Sequence, residues 1–211
     1  MGPRAAAIAF VGCFITCGCD PSDDASLLVG TTPAGLDAIC QDHAVAHIRF
    51  DHEVDFRAFR STTFYSDPDF EDRHTEYWSD GVPCDGAADV EACEAALEAT
   101  WAVEEGWFFN GWTARAFLVE SDGDSVRVID EDDELMEQLG EIDQPAEALF
   151  RLGTHELAPS CESLVETEEG HWRLLAAESV PGCEGRLRFV EVEVRRDGSV
   201  VELREVRSPS C

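Results

Sequence analysis

Phe189-Val190-Glu191-Val192-Glu193-Val194-Arg195-Arg196-Asp197-Gly198-Ser199-Val200 alternates apolar and charged side chains up to an Asp-Gly turn, then resumes as a second strand. Successive side chains of a strand point to opposite faces, so the valines line one face and the glutamates the other. Arg196-Asp197-Gly198 supplies the turn, because glycine enters the left-handed backbone that a tight hairpin requires. One face of such a hairpin packs against helices while the other meets water. Working outward from it, residues 163–167, 171–179, 187–195 and 199–206 read as an antiparallel meander that ends the chain.

Upstream the pattern becomes helical. Pro145 to Leu152 fits a short helix with proline in its tolerated first turn. The acidic run Asp130-Glu131-Asp132-Asp133-Glu134 opens another through Leu135, Met136 and Leu139, where negative charge favours the helix dipole, and Gly140 ends it. Phe108 to Glu120, the turn Ser121-Asp122-Gly123-Asp124 and Ser125 to Ile129 read as a central hairpin. Before that, Asp89 caps a helix carrying Val90, Cys93, Leu97 and Trp101 at helical spacing. Residues 61–83 mix aromatics with Asp and Pro without a period and read as a long irregular loop, while 47–50 and 54–57 alternate like strands. The fold class expected is α+β: an antiparallel sheet, made of the C-terminal meander plus the central hairpin, packed against a few helices and stapled by disulfides.

The stapling follows from the chain's first residues. Arg4 precedes the apolar run Ala5 to Ile15, too short to span a bilayer, which takes about 20 apolar residues, and of signal-peptide length. Thr16-Cys17-Gly18-Cys19 and the polar stretch Asp20-Pro21-Ser22-Asp23-Asp24 follow. Six cysteines remain beyond this segment: Cys40, Cys84, Cys93, Cys161, Cys183 and Cys211. An even set without a CxxC pair, in an exported chain, reads as a disulfide framework. Cys84 in a loop and Cys93 in the following helix suit a local bridge. Folding the hairpin about Asp197 brings Cys183 and Cys211 to one sheet end, which leaves Cys40 to pair with Cys161.

Thr16-Cys17-Gly18-Cys19 resembles the cleavage box of bacterial lipoprotein precursors. The resemblance implies removal of residues 1–18 and lipidation of Cys19. The Asp-, Ser-, Gly-, Thr- and Pro-rich stretch that follows reads as a flexible tether over 19–36, with a single disulfide-stabilised domain at 37–211 divisible into subdomains 37–140 and 141–211. The helix near Ala146 to Leu152 followed by the meander is similar to small PepSY-like or cystatin-like units of exported proteins. The Cys-Asp-Gly segment at Cys84, the Leu139 to Leu149 segment and the terminal Cys211 look similar to uncharacterised secreted lipoproteins of GC-rich Gram-negative bacteria, a family that implies no activity.

The formal charge is −30, from 45 acids against 15 bases, and every base is arginine. Such a surface repels phosphate, so nucleic acid is excluded as an expected partner. The membrane, through the lipid on Cys19, is the expected contact, with a protein or small ligand as a further partner.

Chemistry-bearing patterns are sparse. His43 and His47 stand four apart with Asp42 beside them and share a face if helical, a candidate divalent-metal set. The alternative is an ordinary polar segment. Asp67-Pro68-Asp69, Asp122-Gly123-Asp124 and Asp130 to Glu134 are oxygen-rich but lack the EF-hand spacing. No nucleophile elbow, P-loop or dinucleotide fingerprint occurs, and no cofactor is expected. Thr154-His155-Glu156 holds a hydroxyl and a histidine without a fixed third member. Trp107, Phe108, Phe109 and Trp112 form a candidate aromatic binding surface, against which stands the favoured reading that they fill the core. The expected function is an exported, membrane-tethered, non-catalytic binding or envelope-associated module of the cell envelope. The alternatives are a secreted hydrolase and an acidic inhibitor or immunity-type protein.

Overall fold

In the computed structural model, residues 28–41, 44–64, 72–103, 105–108, 114–155, 157–180 and 187–207 are described. Among them are four helices and ten strands, arranged in two antiparallel sheets: α1 Leu36–Gln41, β1 Phe56–Thr63, β2 Arg73–Gly81, α2 Val90–Ala99, β3 Trp107–Phe108, β4 Ala114–Asp122, β5 Ser125–Ile129, α3 Asp132–Leu139, α4 Pro145–Thr154, β6 Ala158–Pro159, β7 Val165–Glu166, β8 Trp172–Ser179, β9 Leu187–Val194 and β10 Val200–Arg207. The fold class is α+β, as the sequence pattern predicts.

The first sheet runs β2-β1-β4, and the far edge of β4 is shared by β3 and β5. The second runs β10-β9-β8, with β6 and β7 sharing the far edge of β8. The Asp-Gly hairpin closes with Val194 opposite Val200. Val190, Val192 and Val194 are fully buried, and Glu191 and Glu193 take the other face; the expectation that this face meets water is corrected there, since both glutamates are buried against Arg173, Arg195 and Arg204.

Helix α4 lies at the centre. Gln144 precedes it, Pro145 begins it, and Glu147 accepts the backbone N–H groups of Asp143 and Gln144 at 3.0 Å each. Two of the donors left over at a helix start are thereby satisfied. Residues 146–152 of α4 are all buried, the mark of a helix enclosed on every side. Phe150 meets Phe59 of β1 and Trp107 of β3 edge-on, at ring separations of 5.1 and 6.2 Å. The same hydrophobic cluster holds Leu174, Ala176, Val190 and Val192 of the second sheet, together with Leu36 and Ile39 of α1 and Leu135 and Leu139 of α3. One core therefore contacts both sheets.

The opposite face of the first sheet is also covered. Phe56, Ala58, Phe117 and Val119 pack with Cys84, Cys93 and Leu97, so α2 forms an outer layer. Asp89 caps α2 through the backbone N–H of Ala92 at 3.1 Å. Burial on both faces explains why β1 lacks alternation: all but the last of its residues are buried. The expected loop over 61–83 is corrected accordingly, since β1 continues to Thr63 and β2 occupies Arg73–Gly81. The strand expected over 47–50 is corrected as well; Ala44–His47 is a 3₁₀ turn.

Two disulfides are formed, Cys40–Cys161 and Cys84–Cys93. Both are the pairings expected. Cys183 and Cys211 lie outside the described residues. Of the expected tether, residues 28–36 are described: Thr31 and Glu166 exchange two backbone hydrogen bonds of 2.9 Å, which lays this segment along β7. Gly30 permits the approach, because a Cβ there would collide with the Glu166 carbonyl and Val165.

Candidate functional site

Buried polar groups cluster at three places around the central core. The first is structural. Arg57 on β1 is buried, and its guanidinium bonds Glu120 of β4 directly across the strand pair, the His52 carbonyl at 3.0 Å, and stacks 3.8 Å over Phe50. Glu120 is 1% exposed and is shared with the half-exposed Arg127. A buried carboxylate with a cation on either side is a satisfied network that fixes strand register. It offers no free group for chemistry.

The second place is a cleft of about 540 Å³ where the N-terminal segment meets α4 and the second sheet. Ala38 and Ile39 of α1 form one wall, Asp143 and the start of α4 another, and His47, Glu166 and Trp172 complete it. Its size falls in the range of small-molecule sites, about 300–1,000 Å³. The α1 wall is only six residues long and holds no shape alone. It is fastened by Cys40–Cys161 beside Ile39 and by the Thr31–Glu166 pair. Arginine is absent from the lining, whose ionisable side chains are the carboxylates of Asp143 and Glu166 and the His47 imidazole. Near α4, burial pushes the Glu147 carboxyl above the usual glutamate range, and the Gln144 and Asp143 N–H groups offset part of that.

The third place is at the other end of α4. Arg151 is buried and extends to three elements. Its Nη1 lies 2.8 Å from Asp132 Oδ1 at the start of α3, its Nη2 donates to Asp132 Oδ2 at 3.0 Å, and its Nε donates to the Gly198 carbonyl at 3.0 Å in the β9–β10 turn. Thr154 Oγ1 accepts from Nη1 at 3.2 Å. This fork is the bidentate geometry that suits arginine and carboxylate. Hydrogen bonds from Arg151 hold the Asp132 carboxyl below its ordinary range against the opposing effect of burial. His155 Nε2 stands 3.9 Å from Asp132 Oδ2. Burial, and then the Arg151 charge, hold the His155 imidazole below its ordinary pKa despite Asp132.

The candidates named from sequence fall unevenly. Cys40, Cys161, Cys84 and Cys93 are bridged. Cys19, Asp42, His43, Phe109, Trp112, Cys183 and Cys211 lie outside the described residues, as do Asp67, Pro68 and Asp69. His47 ends a 3₁₀ turn and borders the cleft. Among the described residues no group of three or more His, Cys, Asp or Glu is placed to hold a metal ion. Asp124 accepts the Asp89 N–H at 3.0 Å and so anchors the start of α2, and Asp132 belongs to the Arg151 fork. Trp107 is buried in the central core, and Phe108 continues β3. Sequence reasoning missed Arg151 and Asp132 as partners and the cleft altogether. The hint was Arg151 among the apolar residues Leu149, Phe150 and Leu152.

No family model, curated protein or solved structure matches this chain. Among the described residues no helix is long and apolar enough to cross a membrane. The two disulfides are compatible with an extracellular or periplasmic protein.

Proposed function

We propose that the chain is an exported lipoprotein, held at a membrane by lipid on Cys19, whose folded part is a non-catalytic binding module of the cell envelope. The observation that carries this reading is the Cys40–Cys161 bridge. It calls for an oxidising compartment, and it reinforces the wall of the cleft beside which the N-terminal segment joins the domain. Cys19 is twelve residues before Thr31, the first residue paired with the sheet, so the cleft hangs within about 40 Å of the lipid even if the chain between is fully extended. Multiple acylation would anchor it firmly, at about 0.8 kcal/mol per buried methylene. With a charge of −30, the protein surface itself is repelled by anionic headgroups, which leaves the acyl chains as the membrane contact.

The test is expression of the full precursor in a lipoprotein-processing bacterium, fractionation, and intact-mass analysis of wild type and Cys19→Ala. The wild type should appear in the membrane fraction, beginning at Cys19 with added acyl mass and with Cys40, Cys84, Cys93 and Cys161 closed to alkylation. Cys19→Ala should lose the acyl mass and leave the membrane. A wild-type protein in the cytosol, with Cys40 and Cys161 open to alkylation, would overturn the proposal.

A further inference from the structure

Asp132 stands where three elements meet. It begins α3, it takes both terminal nitrogens of Arg151 from α4, and the indole of Trp107 from β3 lies close enough to favour its charge. Two nitrogens beside this carboxylate are poorly served. Trp107 Nε1 and His155 Nε2 are both buried, and neither has a hydrogen-bond partner among the described residues. The 3.9 Å between His155 Nε2 and Asp132 Oδ2 is about 1 Å longer than a hydrogen bond. A neutral ring leaves this gap open. A protonated ring has a donor on both nitrogens and a charge that draws it toward the carboxylate.

We propose that His155 is an acid-sensitive latch on the C-terminal end of α4: a proton on its ring sets a second cation against Arg151 in competition for Asp132, and loosens the junction that Arg151 makes with the β9–β10 turn. Among the described residues two charged groups face the ring, Arg151 from its own helix and Asp132 from α3. Burial and Arg151 oppose the proton, and Asp132 favours it, so the ring is neutral near pH 7. As the pH falls below the ordinary histidine value, conformations in which the Arg151–Asp132 pair loosens, so that the ring reaches Asp132 or water, bind the proton better than the closed one, and the population shifts toward them. Opening is local. His155 is the residue after α4, its side chain is already one-third exposed, and its backbone is held to the helix by one bond, from its N–H to the Leu152 carbonyl at 3.0 Å. The effect spreads through Arg151, whose Nε bond to Gly198 and paired bonds to Asp132 tie the β9–β10 turn to α3. The latch is about 15 Å from the cleft along α4 and is independent of any ligand there.

The experiment is an NMR titration of the full chain, disulfides intact, from pH 8 to pH 4.5, following the histidine rings and the Trp107 indole N–H. The His155 resonance is identified with His155→Gln. The His155 midpoint should lie below about 6.5, the ordinary histidine value. The Trp107 indole signal should move with that same midpoint in the wild type and lose the movement in His155→Gln. Asp132→Asn should lower the His155 midpoint further. A His155 midpoint at or above the ordinary value, or a Trp107 signal that is still through the His155 transition, overturns the latch. The wild-type coincidence alone decides the matter if either variant folds poorly.

Discussion

Removing each disulfide in turn separates the two ways in which this fold is held together. The Cys40–Cys161 bridge closes 121 residues of chain and the Cys84–Cys93 bridge closes nine. In the chain-entropy account, a cross-link restricts the unfolded ensemble by an amount that grows with the logarithm of loop length. The relation gives about 4.9 kcal/mol for the long loop and about 2.6 kcal/mol for the short one. The short bridge nests inside the long loop and shortens it too little to change that ranking. Alanine is the replacement of choice, because Cys84 and Cys93 are buried and serine would add an unpaired hydroxyl. Cys84 has φ +57°, a strain that an alanine there would keep, so the comparison is not distorted by relief of the backbone. Urea unfolding at fixed pH should place Cys40→Ala/Cys161→Ala about 2 kcal/mol below Cys84→Ala/Cys93→Ala in stability. Against a domain stability of about 5–15 kcal/mol, loss of the long bridge is a large fraction of the whole. Should the short-loop variant prove the weaker of the two, loop entropy is not what these bridges contribute, and the reasoning fails.

Two further outcomes follow from the ion pairs. Glu120→Gln strands the buried Arg57 charge and should cost about 3 kcal/mol in chemical denaturation, whereas Arg127→Ala, on the half-exposed side of the same carboxylate, should cost no more than about 1 kcal/mol. For Glu193, burial alone would raise the carboxyl pKa, but Arg195 and Arg173, with His171, outweigh it and hold it below the ordinary range. The folded value is thus below the unfolded one, so the contribution is present above about pH 4.3 and is lost as the pH falls through the folded value; Glu193→Gln should flatten the acid limb of a thermal-stability profile there and leave its neutral region parallel to wild type.

What could be read from the sequence depended on whether the two faces of an element differ in polarity. The Val190-Glu191-Val192-Glu193 alternation announced β9, because only one face of the second sheet is apolar and the charges opposite are retained in pairs with Arg173, Arg195 and Arg204. Helices α2, α3 and α4 were legible from a cap, an acidic first turn and a first-turn proline respectively. Of β1 only the start, within the strand-like 54–57, was legible, and its continuation was not, for the converse reason. Phe56-Arg57-Ala58-Phe59-Arg60-Ser61-Thr62 is buried on both faces, and it carries two arginines because each finds partners inside: Glu120 for Arg57, Glu76 and Thr100 for Arg60. Without the full length of β1 there was no reason to expect β2, its hairpin partner, and the end of β1 together with β2 reads as loop.

The same physics accounts for the sites. Cysteine pairing was legible because a covalent bond requires only two residues of one kind and a topology that brings them together. The Asp132–Arg151–His155 group was not, because each member has a sufficient local role. Asp132 favours the start of α3, Arg151 sits in the last turn of α4, and His155 ends it. Their joint meaning arises only when the two helices and the β9–β10 turn converge, and that convergence depends on α4 being enclosed on all sides. A helix so enclosed must find partners inside the protein for any polar side chain it carries. Arg151 found Asp132, Thr154 and the Gly198 carbonyl. His155 Nε2, one residue past the helix and beside the same carboxylate, finds none among the described residues, and that inequality is what makes its proton the sensitive one.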